Sequence, residues 1–77
     1  MREKVIKILE DVRADIDFNN LDKKLMDDEM LDSFDIISIV GEFNEAFGVD
    51  ISVDDLLPEN FNTPEAMVKL IVKLQQE

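Results

Sequence analysis

Ser33 is the residue of this 77-residue chain whose side chain is best placed for chemistry, between Asp32 and Phe34 in the stretch MLDSFDIISIV. A serine hydroxyl is a weak nucleophile until a neighbouring base takes its proton. The chain has no histidine, no lysine is placed to help, and a carboxylate such as that of Asp35 is a poor base for a hydroxyl at neutral pH. The sequence therefore does not indicate an enzyme, and we expect no catalytic residue.

Other common sites are excluded by residues that the chain lacks. Without cysteine there is neither a disulfide framework nor a thiolate metal site, and without histidine the commonest metal ligand is missing. The acidic stretch DDEMLDSFDIIS lacks the central glycine and the terminal glutamate of a calcium loop. The only glycines are Gly41 and Gly48, so no glycine-rich phosphate loop exists. We predict no metal site.

Charge is the strongest feature of the composition. The chain carries 19 acidic and 8 basic residues, a net charge of −11, and it has no lysine or arginine between Leu25 and Val68. Such a surface repels nucleic acids and anionic membranes and attracts proteins with basic patches. The alternative is that the acidic residues serve only solubility. No apolar run is long enough to span a bilayer, and we expect a cytoplasmic monomer.

Apolar spacing predicts an all-α fold with three long helices and one short one. A first helix is predicted over residues 2–16 and a second over residues 33–47, which Gly48 should end. A long connection, residues 17–31, separates them, and its predicted anchors into the core are Phe18, Leu21, Leu25 and Leu31. A short helix is predicted from Val53 to Leu57, capped by Ser52 and Asp55 and ended by Pro58. The last helix begins with Thr63 as N-cap and Pro64 at its first position. The predicted core contains Val5, Ile8, Leu9, Val12, Ile36, Val40, Phe43, Phe47, Met67, Leu70, Ile71 and Leu74.

Phe34 is predicted to point away from this core. At about 100° per residue, Phe34, Gly41 and Glu45 lie opposite the buried stripe of the second helix. A purely structural explanation is that Ser33 caps the helix and Phe34 folds back over the loop. That explanation leaves Gly41 unexplained, because glycine costs about 1 kcal/mol against alanine inside a helix. A flat face with an acidic rim suggests a surface for a partner.

The chain resembles the acyl carrier protein family, which includes peptidyl and D-alanyl carrier proteins. The resemblance rests on length, acidity, helix order and the stretch LDSFDIISIVGEFNEAFGVDISVDDL. It covers essentially the whole chain and implies a single carrier domain over residues 1–77 with a small four-helix bundle. In that family the serine of an Asp-Ser motif at the start of the second helix receives 4′-phosphopantetheine from coenzyme A. The resemblance therefore implies covalent attachment at Ser33, with Asp32 and Phe34 as the flanking motif residues.

The resemblance also implies the function and the partners. The chain would hold acyl or aminoacyl groups as thioesters on the arm and present them to other enzymes. A phosphopantetheinyl transferase, usually magnesium-dependent in this family, would attach the arm, and loading and transfer enzymes with basic docking surfaces would follow. We expect all of them to dock on one face, made of Phe34, Asp35, Gly41, Glu42, Glu45, Asp54 and Asp55. The competing hypothesis is an acidic helical adaptor that is never modified and only binds proteins.

The cargo is less clearly indicated. Phe34, Ser38 and Gly41 stand where carriers of fatty acid synthesis typically have leucine, an acid and a bulky apolar residue. These departures point to a specialised biosynthetic pathway, with D-alanine, polyketide or another acyl group as cargo. An acyl chain could lie between the second and third helices, lined by Ile37, Ile39, Val49, Ile51, Leu56, Leu57 and Phe61. The simpler explanation, which we prefer, is that the same residues form ordinary core.

Overall fold

The computed structural model describes all 77 residues. It contains four α-helices and no strand. The helices are α1 (Arg2–Val12), α2 (Ser33–Phe47), α3 (Pro58–Phe61) and α4 (Pro64–Gln75), with a single 3-10 turn at Val53–Asp55 before α3. Helix α1 packs against both α2 and α4, and α3 packs against α4. The predicted all-α fold with three long helices and a short third one is confirmed.

Helix α2 has the predicted bounds, but its N-cap is Asp32 and not Ser33. The Asp32 carboxylate accepts a hydrogen bond from the backbone N–H of Asp35 at 2.9 Å. The Asp35 carboxylate accepts one from the backbone N–H of Asp32 at 3.2 Å, which completes a capping box. At the other end Gly48 adopts the left-handed conformation, with φ 64°. Ser33 is therefore the first helical residue and is not needed as a cap.

Helix α1 ends at Val12, four residues earlier than predicted. Arg13 leaves the helix with φ −133° and ψ 86°. Ile16 is buried all the same, so its apolar spacing reflected packing and not helical structure. No glycine or proline marks this end. The Arg13 side chain instead binds groups far along the chain, and this tertiary contact accompanies the helix end.

The short third helix differs from its prediction. Ser52 and Asp55 do form the expected capping box, but the helical turn that they cap stops at Asp55. Pro58 was expected to end a helix and instead begins α3 at its first position. Proline is well suited to that position, because its fixed φ is already helical and the first amide of a helix needs no acceptor.

The long connection between α1 and α2 is anchored through Asn62. The side-chain oxygen of Asn62 accepts hydrogen bonds from the backbone N–H groups of Met26 and Asp27, both at 3.0 Å. Its backbone oxygen accepts a third from the N–H of Leu25 at 2.9 Å. Three backbone N–H groups of the loop are thereby satisfied by one residue at the end of α3. The predicted loop anchors Phe18, Leu25 and Leu31 are buried, and Leu21 packs against the core.

The core contains sixteen buried apolar residues. Eight of the twelve predicted members are among them, whereas Val12, Val40, Phe47 and Leu74 are only partly buried against it. Phe43 is fully buried and meets Phe47 edge to face, with 5.9 Å between ring centroids. The core residues absent from the prediction, and from its list of loop anchors, are Ile6, Ile16, Ile39, Ile51 and Phe61.

Substitutions of the two glycines should have opposite effects on stability. Gly41 is exposed in the interior of α2, and no atom lies within 4 Å of the position that a Cβ would take. We expect Gly41→Ala to stabilise the fold by about 1 kcal/mol, which raises Tm by roughly 4–8 °C in a domain of this size. Gly48→Ala is the control and should lower Tm, because its φ of 64° strains a side chain. A lower Tm for Gly41→Ala, measured by circular dichroism, would show that the fold needs this glycine.

Candidate functional site

Ser33 presents a free hydroxyl group at the start of α2. It is exposed at the first position of α2 and has no side-chain hydrogen bond. The Ser52 hydroxyl donates to Oδ2 of Asp55 at 3.2 Å, and Thr63 accepts from the N–H of Ala66 at 3.1 Å, so both hydroxyl groups are already engaged. Ser38 is exposed as well but lies within the helix. Only Ser33 combines a free hydroxyl with a helix start.

The backbone around Ser33 is suited to an anion. The N–H groups of Ser33 and Phe34 belong to the first turn of α2 and have no helical acceptor. The N–H of Asp35 is taken by the Asp32 side chain, and that of Ile36 by the Asp32 carbonyl oxygen at 3.1 Å. A phosphate on the Ser33 oxygen would therefore lie at the positive end of the helix dipole beside two free donors.

An open, mostly apolar cleft of about 630 Å³ begins at Ser33. Ile36 and Ile37 of α2 line it, and Leu56, which follows the 3-10 turn, lies across from them. Leu31 and Met26 of the long connection complete its apolar wall, with Glu29 and Asp32 at its polar edge. This cleft gives an attached group an apolar surface without enclosing it.

The residues predicted to line an acyl cavity are divided between the core and the surface. Ile39, Ile51 and Phe61 are closed into the core with at most 6% of their surface exposed. Ile37, at 66% exposed, and Leu57 lie on the outside. Leu56 lines the open cleft, and Val49 is partly buried against the core. The structure therefore has a packed interior where the prediction allowed a pocket.

Arg13 is the residue near this site that sequence reasoning missed. Its Nη1 atom donates to Oδ2 of Asp35 at 2.7 Å and to the carbonyl oxygen of Met30 at 3.0 Å. Its Nε and Nη2 atoms donate to the carboxylate of Asp15 at 2.9 and 2.8 Å. These hydrogen bonds, led by the one to Asp15, raise the pKa of Arg13, and the bond from Arg13 lowers the pKa of Asp15 to about 2. Helical periodicity contained no signal for this contact, because it joins residues that are far apart in sequence.

The predicted docking residues are not equally available. The Phe34 side chain is 81% exposed, and Gly41, Glu42 and Glu45 are exposed along the same helix. Asp54 on the 3-10 turn is exposed too. Asp35 and Asp55 are partly buried and accept capping hydrogen bonds, and Asp35 is also paired with Arg13. Their carboxylates are therefore engaged within the fold.

Two further properties bear on the predicted function classes. No cluster of three or more acidic side chains in the structure has a geometry that could hold a metal ion. None of the helices has both the length and the apolar character that crossing a membrane requires.

Comparison with known proteins identifies the class. Residues 2–71 match the family model described as a phosphopantetheine attachment site. Curated relatives include D-alanyl carrier proteins of Bacillus cereus (strains B4264 and AH187) and of Bacillus anthracis (strain CDC 684 / NRRL 3495). Each is 33% identical over 75 residues, which covers 96% of this chain and 95% of the relative. The chain belongs to the acyl carrier protein family.

Membership of this family settles the general role. The chain is a carrier protein with covalent 4′-phosphopantetheine as its prosthetic group, and it is not itself an enzyme. Its partners are a phosphopantetheinyl transferase and the enzymes that load and unload the arm. The competing hypothesis of an unmodified adaptor is not favoured.

Proposed function

We propose that the arm is attached to Ser33. The observation that carries this proposal is the exposed, unbonded Ser33 hydroxyl at the first position of α2, beside two free backbone N–H groups and an apolar cleft. In the transfer, a bond forms from Oγ of Ser33 to the phosphorus of the pantetheine phosphate while the pyrophosphate bond of coenzyme A breaks. The adenosine bisphosphate leaves, and the serine proton passes to a base of the transferase, because this chain supplies none.

The residues around Ser33 fit a phosphodiester. Asp35 would repel it, but its carboxylate is already paired with the Arg13 guanidinium at 2.7 Å. Asp32 keeps an unpaired charge and remains unfavourable to a second anion. The free N–H groups and the helix dipole offset part of this repulsion. The attached form is therefore compatible with the geometry of the helix start.

The test is to incubate the chain with coenzyme A, magnesium and a permissive transferase and to weigh the product. A gain of one phosphopantetheinyl group supports the proposal, and no gain with any transferase favours the adaptor hypothesis. A small hydrolase using Ser33 would instead turn over activated esters, which we do not expect from a chain without a base for the hydroxyl.

We also propose that partners dock on the exposed part of the predicted face. Phe34 supplies one apolar contact, and Glu42, Glu45 and Asp54 supply negative charge near it. Gly41 has no side chain, so the helix backbone is accessible between them. This combination suits a basic partner surface with a small apolar socket. Because a carrier must visit several enzymes in turn, binding should be weak and steered by charge.

The cargo that we propose is a small aminoacyl group, D-alanyl in particular. The curated relatives are named D-alanyl carrier proteins. The interior agrees with a small cargo, because Ile39 of α2 and Phe61 of α3 are packed into the core with at most 1% exposure. A long acyl chain would find only the open cleft, which leaves most of such a chain in contact with water.

Thermal stability should be independent of the length of the attached acyl chain. Burial stabilises by about 0.8 kcal/mol per methylene, which would raise Tm by several degrees for each one in a domain of this size. We expect carriers loaded with D-alanyl, butyryl and octanoyl groups to have the same Tm as the carrier whose arm is unloaded. The measurement is a circular dichroism melt of each form. A stepwise rise in Tm with chain length would mean that the interior opens for long acyl groups.

Two broader expectations also remain proposals. Residues 1–77 would act as one carrier domain, in agreement with a family match that spans nearly all of them. We place the chain in the cytoplasm, because a fold without cysteine needs no oxidising compartment.

A further inference from the structure

The side chain of Arg13 binds residues on both sides of Ser33, a backbone carbonyl before it and a side-chain carboxylate after it. One of its acceptors, the carbonyl oxygen of Met30, lies three residues before Ser33, and the other, Oδ2 of Asp35, lies two residues after it. Asp35 in turn accepts a hydrogen bond from the N–H of Asp32 at 3.2 Å. The end of α1 is therefore joined to the end of the long connection, to the N-cap of α2 and to the first turn of α2.

Arg13 is itself held in one orientation. Two of its nitrogen atoms bind the Asp15 carboxylate like a fork, while the third nitrogen points to Met30 and Asp35. A planar guanidinium with this many partners has little freedom to rotate. The early end of α1 at Val12 leaves Arg13 at the junction between α1 and the start of α2.

The Arg13–Asp35 pair is also shielded from water, unlike the other ion pair that links distant parts of the chain. The two side chains are 29% and 14% exposed, against 46% and 57% for Arg2 and Glu65. Exposed pairs contribute little because water and salt screen them. Arg2 is thus a matched control: it lies at the other end of α1 and bonds to a carboxylate at 2.9 Å, but far from Ser33 in the sequence.

We propose that Arg13 is a positioning residue for the attachment of phosphopantetheine. By holding Met30 and Asp35 together, it fixes the helix start so that the Ser33 hydroxyl meets the coenzyme A phosphorus in the transferase. It touches neither coenzyme A nor the reacting atoms. This inference depends on attachment at Ser33, and it adds a requirement that the family match does not contain.

The test measures kcat and KM of a phosphopantetheinyl transferase for wild-type carrier, Arg13→Met, Arg13→Lys and Arg2→Met. We expect Arg13→Met to lower kcat about tenfold, since small misplacements of a reacting group are costly. Its KM should change little, because the docking residues on α2 are untouched. Arg13→Lys, which keeps the charge but loses the fork, should recover part of kcat, and Arg2→Met should match the wild type.

Measuring kcat and KM separately distinguishes a positioning role of Arg13 from a simple loss of stability. A partly unfolded carrier lowers the effective substrate concentration, which raises KM and leaves kcat unchanged. Asp35→Asn gives a second route if Arg13→Met does not fold. Its amide oxygen can still cap α2, and it should show the same fall in kcat, with little further loss when Arg13→Met is added. The inference about Arg13 is overturned if Arg13→Met and Asp35→Asn both keep the wild-type kcat, or if only KM rises. If the wild-type carrier is not modified at Ser33, the proposed attachment site is overturned instead.

Discussion

Ser33→Ala is expected to abolish attachment of phosphopantetheine completely. The substitution removes the oxygen that we propose forms the phosphodiester and leaves the helix cap in place, since Asp32 and Asp35 cap α2 without any help from Ser33. The variant should fold with a Tm close to that of the wild type, because exposed changes usually alter stability by no more than about 0.5 kcal/mol. The measurement is the intact mass after incubation with coenzyme A, magnesium and a permissive transferase.

Ser38→Ala is the matched control for this experiment. Ser38 is also exposed on α2, one and a half turns further on, and we expect its alanine variant to be modified at the wild-type rate. Ser52→Ala is less suitable, because Ser52 caps the 3-10 turn. A mass gain that persists in Ser33→Ala would place the arm elsewhere, and peptide mapping would then show which side chain carries it.

Glu42→Lys combined with Glu45→Lys should slow association with the transferase by about tenfold or more at low salt. Both carboxylates are exposed on the face that begins beside Ser33, and charge steering accelerates encounters by roughly 10-fold to 1,000-fold. The difference from the wild type should shrink as salt rises, because the Debye length falls from about 30 Å at 0.01 M to 3 Å at 1 M. Stopped-flow association rates across a salt series measure both effects.

Glu10→Lys combined with Asp11→Lys on α1 controls for net charge. This variant changes the total charge by the same amount on another helix, and we expect a much smaller effect on association. Phe34→Ala should act differently again and raise the dissociation rate, because it removes an apolar contact and not a charge. Equal slowing in both charge variants would mean that overall charge matters and that this face of α2 is not the docking site.

Local signals in the sequence were sufficient to predict helix α2 and the position of its serine. The apolar stripe through Ile36 and Phe43, together with Gly48 at the far end, predicted its bounds correctly. The opposite placement of Phe34 also followed from helical geometry and is confirmed by its 81% exposure. Such features depend on residues a few positions apart, where periodicity and capping rules apply directly.

Features that depend on distant residues were predicted less well. The expected end of α1 was wrong, because Ile16 is buried by packing from a non-helical segment. Helix α3 was not expected, since a four-residue segment is too short to show periodicity. Ile39 and Phe61 form ordinary core, as the simpler explanation held, but the pattern of neither segment could exclude an acyl cavity, because packing from other parts of the chain buries both residues.

The amino-acid sequence by itself determined the helical class, the acidic surface and an exposed serine at the start of α2, because each follows from composition or from spacing within one helix. Tertiary structure alone decided how that start is held. The contact of Arg13 with Asp35 spans 22 positions, and that of Asn62 with Met26 spans 36. Hydrogen bonds over such separations form only after the helices have packed, because packing brings donors and acceptors from different segments within 3 Å of each other.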